Sequence, residues 1–266
     1  MSVVTIGGST TECFYQSDDK TWPALLEQHL NKRFDKVWLN NAGLDGQSTF
    51  GHSTLIKNHL IKVKPKVVIF LLGANDGGRT EPNDFDRKAL PSEYKVNLVK
   101  SFIKEYSLVA NFFINVRKAH LTKKQGLAHN KSLDVKSLGL QEITQDTFLQ
   151  RIQEVNESTA LSGYAKRIRD LIILCRDKGM EPIFLSQSKL WGKGVDPVTG
   201  VDLERIKLGE NSNGKLDWAV QQLYNNELKT VCNENSTLFV DLGEQMPKGS
   251  QYYYDGLHFN NRGVVG

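Results

Sequence analysis

Four short segments of the sequence place small polar side chains next to glycine. Ser9 lies in VVTIGGST, Gly46 in NAGLDGQST, Asn75 in LLGAND, and Asp255 and His258 in DGLHFN. A serine hydroxyl is a poor nucleophile until a base removes its proton, and a carboxylate can hold a histidine in the orientation that this step needs. His258 is the only histidine with a carboxylate three residues before it. A nucleophile at Ser9 is therefore one of three interpretations, beside a plain turn and a phosphate-binding loop.

Each segment taken alone has a simpler interpretation. GGSTT is also typical of a turn in which Thr10 or Thr11 caps a helix, and GAND of a turn with Asp76 as N-cap. NAGLDG and DGLH are equally typical of glycine turns at the surface. A phosphate-binding loop is disfavoured because the lysine of GxxxxGK[ST] is missing after the first strand. Only the joint occurrence of the four segments, in this order, favours a catalytic site.

The elements that must position these residues follow from hydrophobic patterning. Short apolar runs, typical of strands, alternate with helical patterns, which predicts a doubly wound five-stranded parallel sheet of the flavodoxin-like α/β/α type. In such a sheet ligands bind beyond the carboxyl ends of the strands, where all four segments fall. The predicted strands are SVVTIG (2–7), KVWLNNAG (36–43), KVVIFLLG (66–73), EPIFLSQ (181–187) and STLFVDLG (236–243).

The connection over residues 80–158 is far longer than usual for such a sheet. Apolar residues at helical spacing, from Val96 to Phe113, predict an amphipathic helix there, followed by the basic loop RKAHLTKKQGLAHNK. Two interpretations stay open, which are compatible: a helical insertion packed on the main core, or a lid or wall of a substrate pocket. We predict a single domain over 1–266 that contains this insertion.

Composition excludes several classes of partner. The 266 residues include 34 basic and 30 acidic side chains, and a net charge of +4 is too mild to indicate nucleic acid or an anionic membrane as partner. No run of about 18 apolar residues predicts a transmembrane helix. Three scattered cysteines and six histidines without ligand spacing predict no disulfide framework, metal or cofactor.

The ends of the sequence do not predict a compartment. Residues 1–8 have the composition of a strand rather than of a signal peptide, which is expected of a cytoplasmic protein if the chain is complete. The closing NNRGVVG is typical of the first turn of a helix. That pattern is consistent with a trimmed piece of a longer protein, for which export or membrane tethering stays open.

At these motifs the sequence resembles the SGNH, or GDSL-like, hydrolases. Ser9 matches the nucleophile block, with glycine at position 8 where many members have aspartate. Gly46 matches the glycine block, Asn75 the GxND block, and Asp255 with His258 the DxxH block. The resemblance covers both ends and the core strands but neither residues 80–158 nor 190–210. It implies an oxyanion hole formed by the backbone N–H groups of Ser9 and Gly46 and by the Asn75 amide.

The resemblance implies a serine esterase that forms an acyl-enzyme on Ser9. By analogy with the shallow site usual in this fold, we expect a small acyl group such as acetyl on a sugar or polysaccharide. The open alternatives are a lipase or thioesterase for longer acyl chains, a sugar O-acyltransferase and a non-catalytic glycan-binding module. The ester and the oligomeric state are not predicted.

Some further residues receive less specific predictions. Trp191, in the segment after the fourth strand, is a candidate pocket-lining residue. Cys13 lies close to Ser9 but lacks a paired base, so we expect a packed thiol. The remaining polar candidates are expected to be ordinary surface or core histidines: His52, His59, His120 and His129.

Overall fold

A five-stranded parallel sheet lies at the centre of the protein in this computed structural model, which describes residues 1–92 and 133–265. The strands are β1 (Ser2–Gly7), β2 (Trp38–Asn41), β3 (Val67–Leu72), β4 (Glu181–Ser186), β5 (Lys207–Gly209), β6 (Ser212–Asn213) and β7 (Leu238–Val240). The central sheet has the order β2-β1-β3-β4-β7, and all its neighbouring pairs are parallel. This confirms the predicted doubly wound sheet.

Helices cover both faces of this sheet. They are α1 (Ser9–Glu12), α2 (Trp22–Leu30), α3 (Thr49–Leu55), α4 (Ile61–Val63), α5 (Asp84–Arg87), α6 (Gln145–Asn156), α7 (Thr159–Asp177), α8 (Gly214–Glu234) and α9 (Leu242–Gln245). A π-helical turn, Ile56–Leu60, joins α3 to α4, and 3-10 turns span Asp18–Lys20, Val135–Leu138 and Ser250–Tyr252. No helix within these described ranges combines the length and the apolar composition that a membrane crossing requires.

The core is densest between β3 and the helices α3, α7 and α8. Successive β3 side chains point to opposite faces, so Val68, Phe70 and Leu72 enter this core while Ile69 faces α2. Phe70 stacks on Phe184 of β4 with ring centroids 4.8 Å apart. Apolar side chains at helical spacing are buried along α7: Leu161, Tyr164, Ala165, Ile168, Leu171, Ile172 and Cys175.

A side-chain cap fixes the start of α2. Thr21 precedes α2 and accepts a hydrogen bond from the Ala24 amide, with Pro23 in the first turn. The antiparallel pair β5–β6 is absent from the sequence prediction. Strands of three and two residues are too short to show the alternation from which strands are recognised.

The long connection is described only at its two ends. It contains α5, the 3-10 turn at 135–138 and α6. The helix predicted from Val96 to Phe113, the basic loop, His120 and His129 lie outside the described residues.

His52 of α3 is an ionisable group inside the main core. It is 1% exposed, and its ring lies 6.4 Å from that of Phe70. Burial lowers the pKa of His52 from 6.5 to about 4, against the opposing charge of Asp86. The Gly7 backbone also favours the protonated ring, but burial outweighs both effects. The folded protein therefore holds this imidazole neutral.

We predict that His52 makes folding stability fall on acidification. The unfolded chain binds the proton below about pH 6.5 and the folded chain only near pH 4. This contribution is thus complete above pH 6.5 and is lost as the pH falls towards 4, a change of about 3 kcal/mol. The free energy of unfolding, measured with urea, should fall less between pH 7 and pH 4.5 in His52→Phe than in the wild type. His29→Phe, at an exposed position, is the control, and equal losses in all three proteins would contradict the prediction.

Candidate active site

The nucleophile candidate stands where β1 turns abruptly into α1. β1 ends at Gly7, Gly8 is the N-cap, and Ser9 is the first residue of the helix. A Cβ at Gly7 would overlap the Thr11 side chain, so glycine permits this tight turn. Thr10 and Thr11 are buried within the helix and do not cap it. The Ser9 N–H, in the first turn of a helix, has no intrahelical acceptor and is available to a ligand.

A chain of hydrogen bonds joins Ser9, His258 and Asp255. The Ser9 Oγ lies 2.8 Å from Nε2 of His258, and the Nδ1 of the same ring lies 2.8 Å from Oδ2 of Asp255. The other carboxylate oxygen accepts the backbone N–H groups of Leu257 at 2.8 Å and His258 at 2.7 Å. The structure therefore brings together three residues that are up to 249 positions apart in sequence.

Asp255 is held in its ionised form. Burial raises the pKa of this carboxyl, but hydrogen bonds from the His258 ring and from the two backbone N–H groups outweigh it and keep the pKa below its ordinary value. An ionised Asp255 accepts the Nδ1 proton of His258. The Nε2 atom is then the lone-pair nitrogen and accepts the Ser9 hydroxyl proton.

The turn that carries His258 is fixed by packing on three sides. The Tyr254 ring stacks on the His258 ring with centroids 5.5 Å apart and an interplanar angle of 7°. The Leu190 N–H donates to the Gly256 carbonyl at 2.9 Å. Trp191 lies so close to Gly256 that a Cβ there would overlap its indole. The structure thus places Trp191, which is 8% exposed, beneath the turn, with its edge on a neighbouring cleft.

Gly46 occupies a turn position that requires glycine. The Gln47 N–H donates to the Leu44 carbonyl at 3.1 Å, which closes a four-residue turn, and Gly46 has a φ of +72° at its third position. The Leu44 N–H in turn donates to the Gly7 carbonyl at 3.0 Å. The loop after β2 is therefore bound directly to the turn that presents Ser9.

Asn75 meets both of these loops at Gly8. Its Nδ2 donates to the Gln47 carbonyl at 3.0 Å. A Cβ at Gly8 would overlap this same Nδ2 and would lie 3.3 Å from the Gln47 carbonyl oxygen. The three predicted oxyanion donors thus come from three loops that touch one another at a glycine.

Asp76, the neighbour of Asn75, is buried and does not cap a helix of its own. It accepts the N–H and the hydroxyl of Thr49, at 3.1 Å and 2.6 Å, and lies 3.5 Å from Arg167. Burial raises the pKa of Asp76, whereas the Thr49 hydrogen bonds and the Arg167 charge act in the opposite direction. The residue ties the loop after β3 to the start of α3.

Polar side chains at the carboxyl end of β4 contact the turn that carries Ser9. Thr10 donates to the side chain of Gln187 at 3.3 Å, and the backbone of Gln187 is bound on both sides by Asn225. Ser188 lies 2.7 Å from the hydroxyl of Tyr253. These contacts join the nucleophile turn to the His258 turn through the end of β4. The only sequence signal for them is the polar SQS at the end of that strand.

The remaining candidate side chains have no catalytic arrangement. Burial raises the pKa of the Cys13 thiol to about 12, so a packed thiol is the better description. The Nε2 atom of His59 donates to the Ala89 carbonyl at 2.9 Å. Within the described ranges, no group of three or more His, Cys, Asp and Glu side chains could hold a metal ion.

Among the described residues, His258 lines two clefts of more than 300 Å³. The first, of about 370 Å³, combines aromatic with charged side chains and has Ser9 in its wall. Its described lining is Ser9, Glu12, Phe14, Tyr15, Asp45, Lys88, Tyr254 and His258. The second, of about 330 Å³, lies on the side of Asp255 and Trp191.

Comparisons with known proteins identify the family and the fold. The sequence matches the GDSL-like Lipase/Acylhydrolase family over residues 5–264, which confirms the predicted resemblance. The fold is similar to that of an acetyl xylan esterase, AlAXEase, with a TM-score of 0.53 and 12% identity, covering 99% of this chain and 94% of that one. No curated protein matches the sequence.

Two further solved structures have the same fold. Axe2, an acetylxylan esterase from Geobacillus stearothermophilus, has a TM-score of 0.52 and 14% identity, covering 99% of this chain and 89% of its own. LAE5, an α/β hydrolase enzyme from the metagenome of Lake Arreo, Spain, has a TM-score of 0.53 and 15% identity over the same shares. At these identities the likeness establishes the fold.

We predict that Gly8→Ala will slow the reaction of Ser9 with a fluorophosphonate probe by about 100-fold. The new methyl group must displace the Asn75 amide, and one oxyanion donor is then lost. Gly77→Ala is the matched control, because a Cβ there meets nothing within 4 Å. Labelling of Ser9 followed by mass spectrometry measures the rate, and equal rates in both variants would contradict the prediction.

Proposed function

This chain belongs to the GDSL-like lipase/acylhydrolase family and is a serine esterase, and from that premise we propose that it removes a small acyl group, such as acetyl, from a sugar or polysaccharide. The observation that carries the catalytic assignment is the pair of 2.8 Å contacts that join Ser9, His258 and Asp255. Such an arrangement activates a serine hydroxyl and has no comparable purpose in a structural turn.

In the proposed reaction, His258 takes the Ser9 proton at Nε2 as Oγ attacks the ester carbonyl. The imidazolium that forms is stabilised by the ionised Asp255. The carbonyl oxygen becomes an oxyanion, which accepts hydrogen bonds from the N–H groups of Ser9 and Gly46 and from the Asn75 amide. Donors fixed before the reaction cost no reorganisation during it, and each contributes about 3 to 4 kcal/mol.

The intermediate collapses when His258 returns its proton to the leaving alcohol. The ester C–O bond breaks, and the acyl group remains on Ser9 Oγ. A water molecule then attacks the acyl carbonyl while Nε2 of His258 accepts its proton. The second tetrahedral intermediate releases the carboxylic acid and restores the Ser9 hydroxyl, so the balance is one ester and one water converted to one acid and one alcohol.

The composition of the first cleft supports a sugar as the alcohol half. Aromatic rings pack on the C–H faces of sugar rings, and carboxylates and lysine bind sugar hydroxyls. Phe14, Tyr15 and Tyr254 lie there with Glu12 and Lys88. A volume of about 370 Å³ is small for a ligand pocket, which favours a short acyl group over a long one. Two of the structurally similar proteins are acetyl xylan esterases.

We predict that hydrolysis depends on Ser9 and favours short acyl chains. The wild type should hydrolyse p-nitrophenyl acetate faster than the butyrate and the octanoate, and Ser9→Ala should lose at least about 1,000-fold in kcat. Ser17→Ala is the control, because Ser17 is exposed and its side chain caps nothing. Faster hydrolysis of octanoate would indicate a lipase or thioesterase. If the acyl group were transferred to added sugar in preference to water, the protein would be a transferase.

We also predict that Tyr15→Ala will raise KM for an acetylated xylo-oligosaccharide by about tenfold, as expected when one aromatic contact is lost. The KM for p-nitrophenyl acetate, which carries no sugar, should change much less. Phe34→Ala serves as control because Phe34 is an exposed aromatic outside the cleft lining. An equal change in KM for both substrates would contradict a sugar subsite at Tyr15.

A further inference from the structure

One buried carboxylate, that of Asp86 on α5, lies behind the proposed oxyanion hole. Its Oδ1 accepts the N–H of Ser48 at 2.8 Å, the Ser48 hydroxyl at 2.8 Å and the Gly51 N–H at 3.2 Å. Its Oδ2 accepts the Asn83 N–H at 3.0 Å and a guanidinium nitrogen of Arg79 at 2.5 Å. The side chain is 2% exposed, so all of its acceptor capacity is used within the protein.

The partners of Asp86 belong to the two loops that carry oxyanion donors. Ser48 lies two residues after Gly46 and caps α3. Arg79 donates its other terminal nitrogen to the Asn75 carbonyl at 3.3 Å. The same two loops are also joined directly, because the Asn75 amide donates to the Gln47 carbonyl. A single ion pair therefore bridges the loop after β2 and the loop after β3.

Capping of α5 does not account for this arrangement. The capping box consists of two hydrogen bonds: the Asn83 side chain accepts the Asp86 N–H, and one carboxylate oxygen of Asp86 accepts the Asn83 N–H. The other oxygen is directed wholly to Ser48 and Gly51, which lie about 35 positions away in sequence. An ion pair as buried as Asp86–Arg79 costs desolvation, and helix capping alone would be met by an exposed carboxylate at that position.

The geometry points to Asp86 and Arg79 as positioning residues, which fix the loops of Gly46 and Asn75 relative to each other so that both donors reach one oxyanion. This inference rests on the proposed ester hydrolysis. The two residues touch neither Ser9 nor His258 through any contact described above, so they act through the loops alone. Burial raises the pKa of Asp86, but its backbone and side-chain hydrogen bonds and the Arg79 charge keep that pKa below its ordinary value.

The test is the kinetics of Asp86→Asn with p-nitrophenyl acetate. Misplaced donors weaken binding of the transition state more than of the substrate, so kcat should fall by about 10- to 100-fold while KM changes less than about threefold. Asp84→Asn is the matched control on the same helix, because the Asp84 side chain is 95% exposed and pairs only with Arg87 in the described contacts. Asp84→Asn should retain the wild-type kcat.

A double-mutant cycle with Asn75→Ala separates positioning from general destabilisation. If Asp86 acts through the donors, Asp86→Asn should cost distinctly less in the Asn75→Ala background than in the wild type. An equal fold-loss in both backgrounds, or an unchanged kcat in Asp86→Asn, would overturn the inference. Should Asp86→Asn not fold, Arg79→Gln is measured against the same criteria, because it leaves the Ser48 and Asn83 contacts of Asp86 in place.

Failure of this inference differs from failure of the proposed function. An active wild type, an inactive Ser9→Ala and a fully active Asp86→Asn would overturn the positioning role alone. A Ser9→Ala protein as active as the wild type would overturn the proposed function and the positioning role with it.

Discussion

The close approach of three loops at Gly8 is the constraint on which the rest of the site depends. Gly8 faces the Asn75 amide and the Gln47 carbonyl with no room for a Cβ between them. Any larger residue would have to displace the Asn75 amide or the Gln47 carbonyl, and thereby change the contact between the loops after β1, β2 and β3. The parallel sheet makes this possible, because it brings the carboxyl ends of these strands to one edge.

Buried polar side chains hold these loops where regular backbone pairing ends. Asp76 and Asp86 bind the start of α3, Gln187 binds Thr10, and Asn225 binds the backbone of Gln187. Each of these groups costs free energy to remove from water, and that cost is offset because each makes several hydrogen bonds. Loops have few backbone partners of their own, so side chains from the core take over that role.

Burial alone does not decide which groups are charged near this edge. It keeps His52 neutral and raises the pKa of the Cys13 thiol, because burial outweighs the charges and hydrogen bonds that favour the charged form of each group. Asp255 experiences the same penalty but accepts two backbone N–H groups and the His258 ring. The protein thereby supplies a carboxylate at His258, whose ring contacts Ser9.

The sequence by itself determined the sheet, the strands that form it and the four segments at its carboxyl edge. These follow from local patterns: apolar runs such as KVVIFLLG, the cap at Thr21, and glycines beside Ser9 and Asn75. Only the tertiary structure decided that Asp86 and Arg79 join two loops, that Gln187 supports Thr10, and that Trp191 packs against Gly256 at the edge of a cleft. Such contacts depend on side-chain direction between elements far apart in the chain, and neither periodicity nor residue type carries that information.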